Sequence, residues 1–162
     1  MAYLIDSDVL IDAKNFYYGF DFCPAFWDWL IESNKAGKVF SIEKVRDELI
    51  AGADPLADWA KQLDKDFFLP PDPAMLPALG KVSAWATTQK YEPAAVTTFL
   101  QVADYYLVAY ALEHKHIIVT REIPSATVKR IKIPDACIGL GIKCMSPFEM
   151  LRLEHARFLL KK

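Results

Sequence analysis

The chain reads as an α/β protein, a three-layer α/β/α sandwich with a short central parallel sheet. Two observations predict it. The strand candidates are short and nearly continuous in apolar character, as strands covered on both faces must be. They alternate with longer segments whose apolar residues recur at helical spacing, the arrangement that packs helices on both sides of a parallel sheet.

Residues 2–6, AYLID, read as the first strand, an apolar run stopped by polar, turn-compatible residues. VLIDAKNFYYGFDF starts as a helix and becomes aromatic and irregular around Gly19. In PAFWDWLIESNKAG, Pro24 opens a helix, Phe26, Trp27, Leu30 and Ile31 recur at helical spacing, and Gly37 is a plausible stop. KVFSI (38–42) is the second strand, and EKVRDELIAG is a helix capped by Ser41 or Glu43 that ends at Gly52. DPLADWAKQLDKDFF is expected as a helix with Asp54 as N-cap and Pro55 in its first turn. LPPDPAMLP is too rich in proline for a helix interior and is expected as a connector.

Helix resumes from about Leu79 to Lys90, and EPAAVTTFLQ starts another after a break near Pro93. ADYYLVAYALEHK is a strongly apolar helix running into HIIVT (116–120), a β-branched, buried strand. REIPSATVKRIKIPDACIG is expected as a connector and GIKCMS as a short strand. SPFEMLRLEHARFLL is expected as a closing amphipathic helix, with Ser146 as its cap and Pro147 next.

A chain of 162 residues that is 53% hydrophobic and 13% aromatic can bury one well-packed core, so one domain spanning 1–162 is expected. Its apolar runs are broken well short of the roughly 18 residues of a membrane span, and the N-terminus lacks the basic flank and apolar region of a secretory signal. A cytoplasmic protein is the expectation. Cys23, Cys137 and Cys144 are odd in number and lack CxxC spacing, which predicts buried free thiols rather than a zinc site. A net charge of −2 excludes binding to nucleic acid by bulk attraction. Local basic clusters remain at Lys129, Arg130 and Lys132, and at Arg152, Arg157, Lys161 and Lys162, to track phosphates or simply to face solvent.

In open parallel sheets ligands bind beyond the carboxyl ends of the strands. Asp6 stands at the end of the first strand, and Thr120, Arg121 and Glu122 stand at the end of HIIVT. Asp104 opens the ADYYLVAYAL helix, and Glu48 lies on the helix after KVFSI. Four acids around one hollow repel one another, and a divalent cation resolves the repulsion. Hard oxygen ligands favour Mg²⁺ or Mn²⁺, which can activate water for phosphoryl chemistry. Each acid also has a plain alternative: Asp6 and Asp104 as helix caps, Glu48 as a solvated side chain competing with Glu43 and Asp47, Glu122 as a partner of Arg121. Asp12 reads as helix surface.

YLIDSDVLIDA, EKVRDELIAG, ADYYLVAYALEH and IIVTRE, in that order, resemble the motifs of PIN-domain nucleases. The likeness covers essentially the whole chain and is closest to a PIN-like branch related to VapC-type toxins of toxin–antitoxin pairs. Carried over position by position, it makes Asp6, Glu48 and Asp104 the principal metal-pocket acids and Ser7 a polar helper. Asp8 stands where Asn is also common, Thr120 supports the pocket, and Glu122 replaces the usual aspartate at the cost of an extra methylene. Asp135, in IPDAC, is a substitute fourth acid or a turn residue.

The resemblance implies an endoribonuclease dependent on Mg²⁺ or Mn²⁺ that leaves 5′-phosphate and 3′-hydroxyl ends. It also implies an inhibiting antitoxin partner and, by analogy, a homodimer. Lys14, Arg121, Lys129 and Arg130 are candidates to hold RNA phosphates, and Phe16, Tyr17, Tyr18, Tyr105 and Tyr106 to stack on bases. The stretch NFYYGFDFCPAFWDW is a candidate docking surface or part of the core. Competing readings are an RNA-processing or DNA nuclease without a toxin role and a metal-poor binding module. A phosphatase is more distant, because Leu10 follows Asp6-Ser7-Asp8 where a small hydroxyl residue is needed.

Overall fold

The computed structural model describes residues 1–160; Lys161 and Lys162 of the second basic cluster lie outside the described residues. Five short strands form the sheet: β1 (Tyr3–Ile5), β2 (Val39–Ile42), β3 (Phe68–Leu69), β4 (Ile117–Val119) and β5 (Cys144–Met145). All neighbours are parallel, in the order β3-β2-β1-β4-β5. The central strands are buried from end to end, with Leu4, Ile5, Ile118 and Val119 wholly inaccessible, which is why they read as apolar runs without alternation.

The helices are α1 (Ser7–Asp12), α2 (Pro24–Lys35), α3 (Glu43–Ala51), α4 (Pro55–Lys61), α5 (Met75–Thr88), α6 (Pro93–Phe99), α7 (Ala103–His114), α8 (Ile133–Leu140) and α9 (Pro147–Leu153). A π-helical turn, Ala13–Tyr17, continues α1 and is the irregularity expected before Gly19. Proline sits in the first turn of α2, α4, α6, α8 and α9, where its missing N–H costs no bond. Asp54 and Ser146 cap α4 and α9 as expected, accepting from the N–H groups of Ala57 and Glu149.

The chain runs from β1 outward through β2 to β3, then crosses back to β4 and β5 on the other side of β1. With the right-handed crossovers that parallel strands adopt, this switch in winding direction puts helices on both faces of the sheet, giving three layers. The helix packing agrees: α3 lies against α4, and α5 against both α7 and α8. The direction in which successive strands are laid down reverses between β1 and β4, and a crevice opens there at the carboxyl ends of the strands.

Several elements differ from the sequence reading. β3 falls in the stretch read as the end of a helix: α4 stops at Lys61, the Asp64 carboxylate turns the chain by accepting from Asp66 N–H, and Phe68 pairs with Ser41. α5 begins at Met75, inside the expected connector, because Pro77 falls in the first turn, where backbone N–H groups have no helical partner. α8 lies in the second expected connector, burying Ile133, Ala136 and Cys137. Neither Ser41 nor Glu43 caps α3; the Ser41 hydroxyl is buried and donates to Ile5 carbonyl at 2.6 Å. α9 ends at Leu153, and the chain beyond it folds back so that Phe158 packs against Tyr18 and Phe26. Of the three free thiols only Cys137 is buried, Cys23 and Cys144 being half-buried.

Among the described residues no single helix is long and apolar enough to cross a membrane; α6 and α7 pass that test only as a pair bent by 70°. Within NFYYGFDFCPAFWDW, Phe26 and Trp27 are core residues while Phe16 and Phe22 are exposed.

Candidate metal centre

β1 ends where its apolar run ends, and the next residue, Asp6, is carried into the crevice. The Asp6 N–H donates to Val119 carbonyl at 2.9 Å, so the ends of β1 and β4 are tied together at the point where the strand order switches. One Asp6 carboxylate oxygen accepts from Ser7 N–H at 2.7 Å, and the other accepts from the Thr120 hydroxyl at 2.9 Å. Asp6 is therefore both the cap of α1 and a crevice acid.

The Thr120 oxygen also accepts from Glu122 N–H at 3.1 Å and lies 3.3 Å from Asp8 Oδ2. This one buried hydroxyl joins three acids that come from two distant parts of the chain. Asp6, Asp8 and Glu122 each offer an oxygen, all within 4.8 Å of one another. They line a cavity of about 690 Å³ together with Ser7, Glu48, Asp104, Lys129 and Arg130. Its remaining wall is largely apolar, from Phe99, Val102 and Ile131.

The other two acids arrive on helices. Val102, not Asp104, is the N-cap of α7, which leaves the Asp104 side chain free of a capping bond. Glu48, on α3, reaches the same helix start and accepts from Ala103 N–H at 3.4 Å.

The electrostatics are those of an acidic cluster only partly offset by Arg130. Asp6 is only 3% exposed, and its burial, with the charges of Asp8 and Asp104, holds its carboxyl well above the usual carboxylate range. Burial, then Glu122 and Glu48, push Asp104 up to about 7. Burial also raises Glu122, although Ile133 N–H at 3.2 Å and the Arg130 guanidinium at 3.4 Å partly offset it. Three neighbouring carboxylates displaced the same way, with lone pairs left beside the hydrogen bonds that Asp6 and Glu122 already accept, make a hard oxygen donor set that suits Mg²⁺ or Mn²⁺.

Not every residue singled out in the sequence reaches the cavity. Lys14 is paired with Asp54 at 2.6 Å, and Arg121 with Asp12 at 3.3 Å, so neither lines it. The partner of Glu122 is Arg130 rather than Arg121. Asp135 accepts from Ser125 N–H at 3.1 Å and holds the 123–132 loop, the turn role. Phe16 and Tyr17 are exposed, whereas Tyr18 stacks on Phe26 at 4.5 Å and Tyr105 donates to Leu79 carbonyl. What sequence reasoning undervalued was Asp8, ranked as a supporting residue and placed here in the tightest acid set. Its signal was present in the spacing: two residues beyond Asp6 on a helix that starts at Ser7.

Replacing Thr120 by Val keeps the shape and removes the hydroxyl that joins the acids. The expected outcome is an approximately tenfold loss of Mn²⁺ affinity, in the range for groups that orient metal ligands, with Thr120→Ser largely restoring it. Isothermal titration of Mn²⁺ into the three proteins checks this.

A five-stranded parallel sheet between helical layers, with acids gathered where the strand order switches, defines the class: an α/β fold of three layers with an acidic crevice. The chain belongs to the family described as a domain of unknown function, DUF4411, whose model matches residues 3–158. Among solved structures it resembles the crystal structure of FitAcB from Neisseria gonorrhoeae, at 18% identity and a TM-score of 0.53, over 90% of this chain and 98% of that one. No curated protein matches the sequence.

Proposed function

We propose that the protein is a metal-dependent endoribonuclease, with Mg²⁺ or Mn²⁺ as its cofactor, acting as the toxin of a toxin–antitoxin pair. The observation that carries the catalytic part is the convergence of Asp6, Asp8 and Glu122 within 4.8 Å in the wall of a cavity also lined by Glu48 and Asp104. A bound divalent cation supplies an activated water and neutralises charge that develops on the phosphodiester. The chain does the rest. Asp6, Asp8 and Glu122 present the oxygens that hold the ion, and Thr120 keeps them in register. Asp104 and Glu48 extend the acidic wall from the starts and turns of their helices, and Ser7 adds a hydroxyl. Lys129 and Arg130, which line the same cavity, receive substrate phosphates, Arg130 from its place beside Glu122. The fold shared with FitAcB and the motif resemblance support the toxin reading; an antitoxin partner, a homodimer and a cytoplasmic location belong to that same reading.

The deciding experiment is cleavage of a labelled single-stranded RNA with Mn²⁺ or Mg²⁺, with EDTA and duplex DNA as controls. Metal-dependent cutting of RNA alone supports the proposal, and cutting of DNA alone favours the DNA-nuclease reading. Growth arrest on expression tests the toxin role separately. Lys129→Ala is expected to raise KM with little change in kcat and to lower the slope of log affinity against log salt by about 1.

One observation favours a second reading, a binding module without catalysis: Arg130 already reaches the Glu122 carboxylate at 3.4 Å. A guanidinium resting there lessens the need for a cation. Folded protein that neither binds Mn²⁺ nor cuts RNA supports this reading instead.

A further inference from the structure

We infer that Arg121 is a positioning residue for the metal-binding wall rather than a phosphate grip, held by a clamp of Asp12, Tyr17 and Phe148 that keeps its backbone N–H on the Asp8 carboxylate. The inference rests on the metal-centre reading above.

Arg121 lies between Thr120 and Glu122, so its backbone belongs to the wall while its side chain leaves it. Its N–H donates to Asp8 Oδ1 at 3.2 Å. Its Nε donates to Asp12 Oδ2 at 3.3 Å and its Nη2 to the Tyr17 hydroxyl at 2.9 Å. The guanidinium carbon lies 5.0 Å from the Tyr17 ring centre and 5.3 Å from that of Phe148, and these two rings meet edge to face at 5.1 Å. Two of its five N–H donors and the stacking surface are thus committed to the clamp, and the side chain does not line the cavity where a phosphate would be gripped.

The π-helical turn explains how one short segment supplies two of the three partners. At 3.6 residues per turn, residues five apart on an α-helix point about 140° away from each other. Closure of the wider turn by Tyr18 N–H on Ala13 carbonyl, at 2.8 Å, brings Tyr17 round to the side of Asp12. α9 adds Phe148, so the clamp joins the first helix, the end of β4 and the last helix. Without it, nothing on the Arg121 side chain restrains the β4 exit, and Asp8 loses the donor that fixes one of its oxygens.

The test is Mn²⁺ titration by calorimetry on wild type, Arg121→Gln, Arg121→Lys, Asp12→Asn and Tyr17→Phe, with kcat and KM for RNA measured beside it. Arg121→Gln and Asp12→Asn are each expected to lower Mn²⁺ affinity about tenfold or more and to reduce kcat with KM unchanged. Arg121→Lys is expected not to rescue, because an ammonium lacks both the fork and the stacking plane. Tyr17→Phe removes one oxygen and is expected to give a smaller fall in the same direction, which keeps the test open if Arg121→Gln does not fold. A phosphate grip gives the opposite pattern and overturns the proposal: KM rises in Arg121→Gln, Arg121→Lys retains function, and Asp12→Asn leaves Mn²⁺ affinity intact. Wild type that binds no Mn²⁺ overturns the proposal together with the reading beneath it, and that failure shows before any substitution is made.

Discussion

Asp6→Asn is expected to abolish metal-dependent RNA cleavage, by about a thousandfold or more, without costing stability. A thousandfold is about 4 kcal/mol of transition-state stabilisation, reasonable for removing an anionic oxygen from the innermost position of the acid set. Stability should hold because the amide can make the same bonds. Its oxygen accepts from Ser7 N–H in place of the carboxylate oxygen now 2.7 Å away. Its NH₂ donates to the Thr120 oxygen, whose own proton turns to Asp8 Oδ2, now 3.3 Å distant. Meanwhile one buried negative charge disappears from beside Asp8 and Asp104. Melting temperature in EDTA near neutral pH should therefore equal or exceed that of wild type. Asp104→Asn should behave alike. Cleavage retained by folded Asp6→Asn protein would remove this acid from the mechanism.

The second large effect is on stability against pH, and its sign is opposite to ordinary acid denaturation. Asp6, Asp104 and Glu122 all hold their protons more tightly in the folded chain than in the unfolded one. Folding is therefore favoured below their displaced values, and the advantage is lost as pH rises through them. For Asp104 the window runs from about pH 4 to about 7, and each pKa unit of displacement is worth about 1.4 kcal/mol. Asp54 and Glu154 act in the reverse sense, held low by Lys14 and Lys38, but their contribution falls away only below the ordinary carboxylate range. In EDTA the melting temperature is thus expected to decline from pH 5 to pH 7.5. Mn²⁺ at a hundred times its dissociation constant should restore about 2.7 kcal/mol at the upper end and less at the lower, where protons compete for the same oxygens. Asp104→Asn should flatten the EDTA curve. A melting temperature that climbs across this range in EDTA would contradict the electrostatics of the cluster.

The sequence by itself determined the architecture and the place of the crevice. Apolar runs at 3–5 and 117–119 are strands buried on both faces, 39–42 joins them with its one hydroxyl, Ser41, satisfied by Ile5 carbonyl, and the helices between them are marked by proline starts and glycine stops. Asp6 was legible because a buried strand has no reason to end in a charge unless the chain leaves the core there. Asp104 and Glu48 were legible through order and spacing, as acids at helix positions that a parallel sheet brings to one edge.

Only the tertiary structure decided which acids stand together and which cations are free. Glu122 joins Asp6 and Asp8 because β1 and β4 are adjacent, and that adjacency, between residues more than a hundred positions apart, leaves no local trace. The commitments of Lys14 to Asp54 and of Arg121 to Asp12 and Tyr17 are likewise pairings across the fold. Two-residue β3 spans a single period of strand alternation and eight-residue α8 only about two helical turns, too little repetition to stand out in the sequence, and the neighbours they pair with or pack against hold them in place. Periodicity is a property of consecutive residues, whereas a site is built from residues that the sheet order makes neighbours.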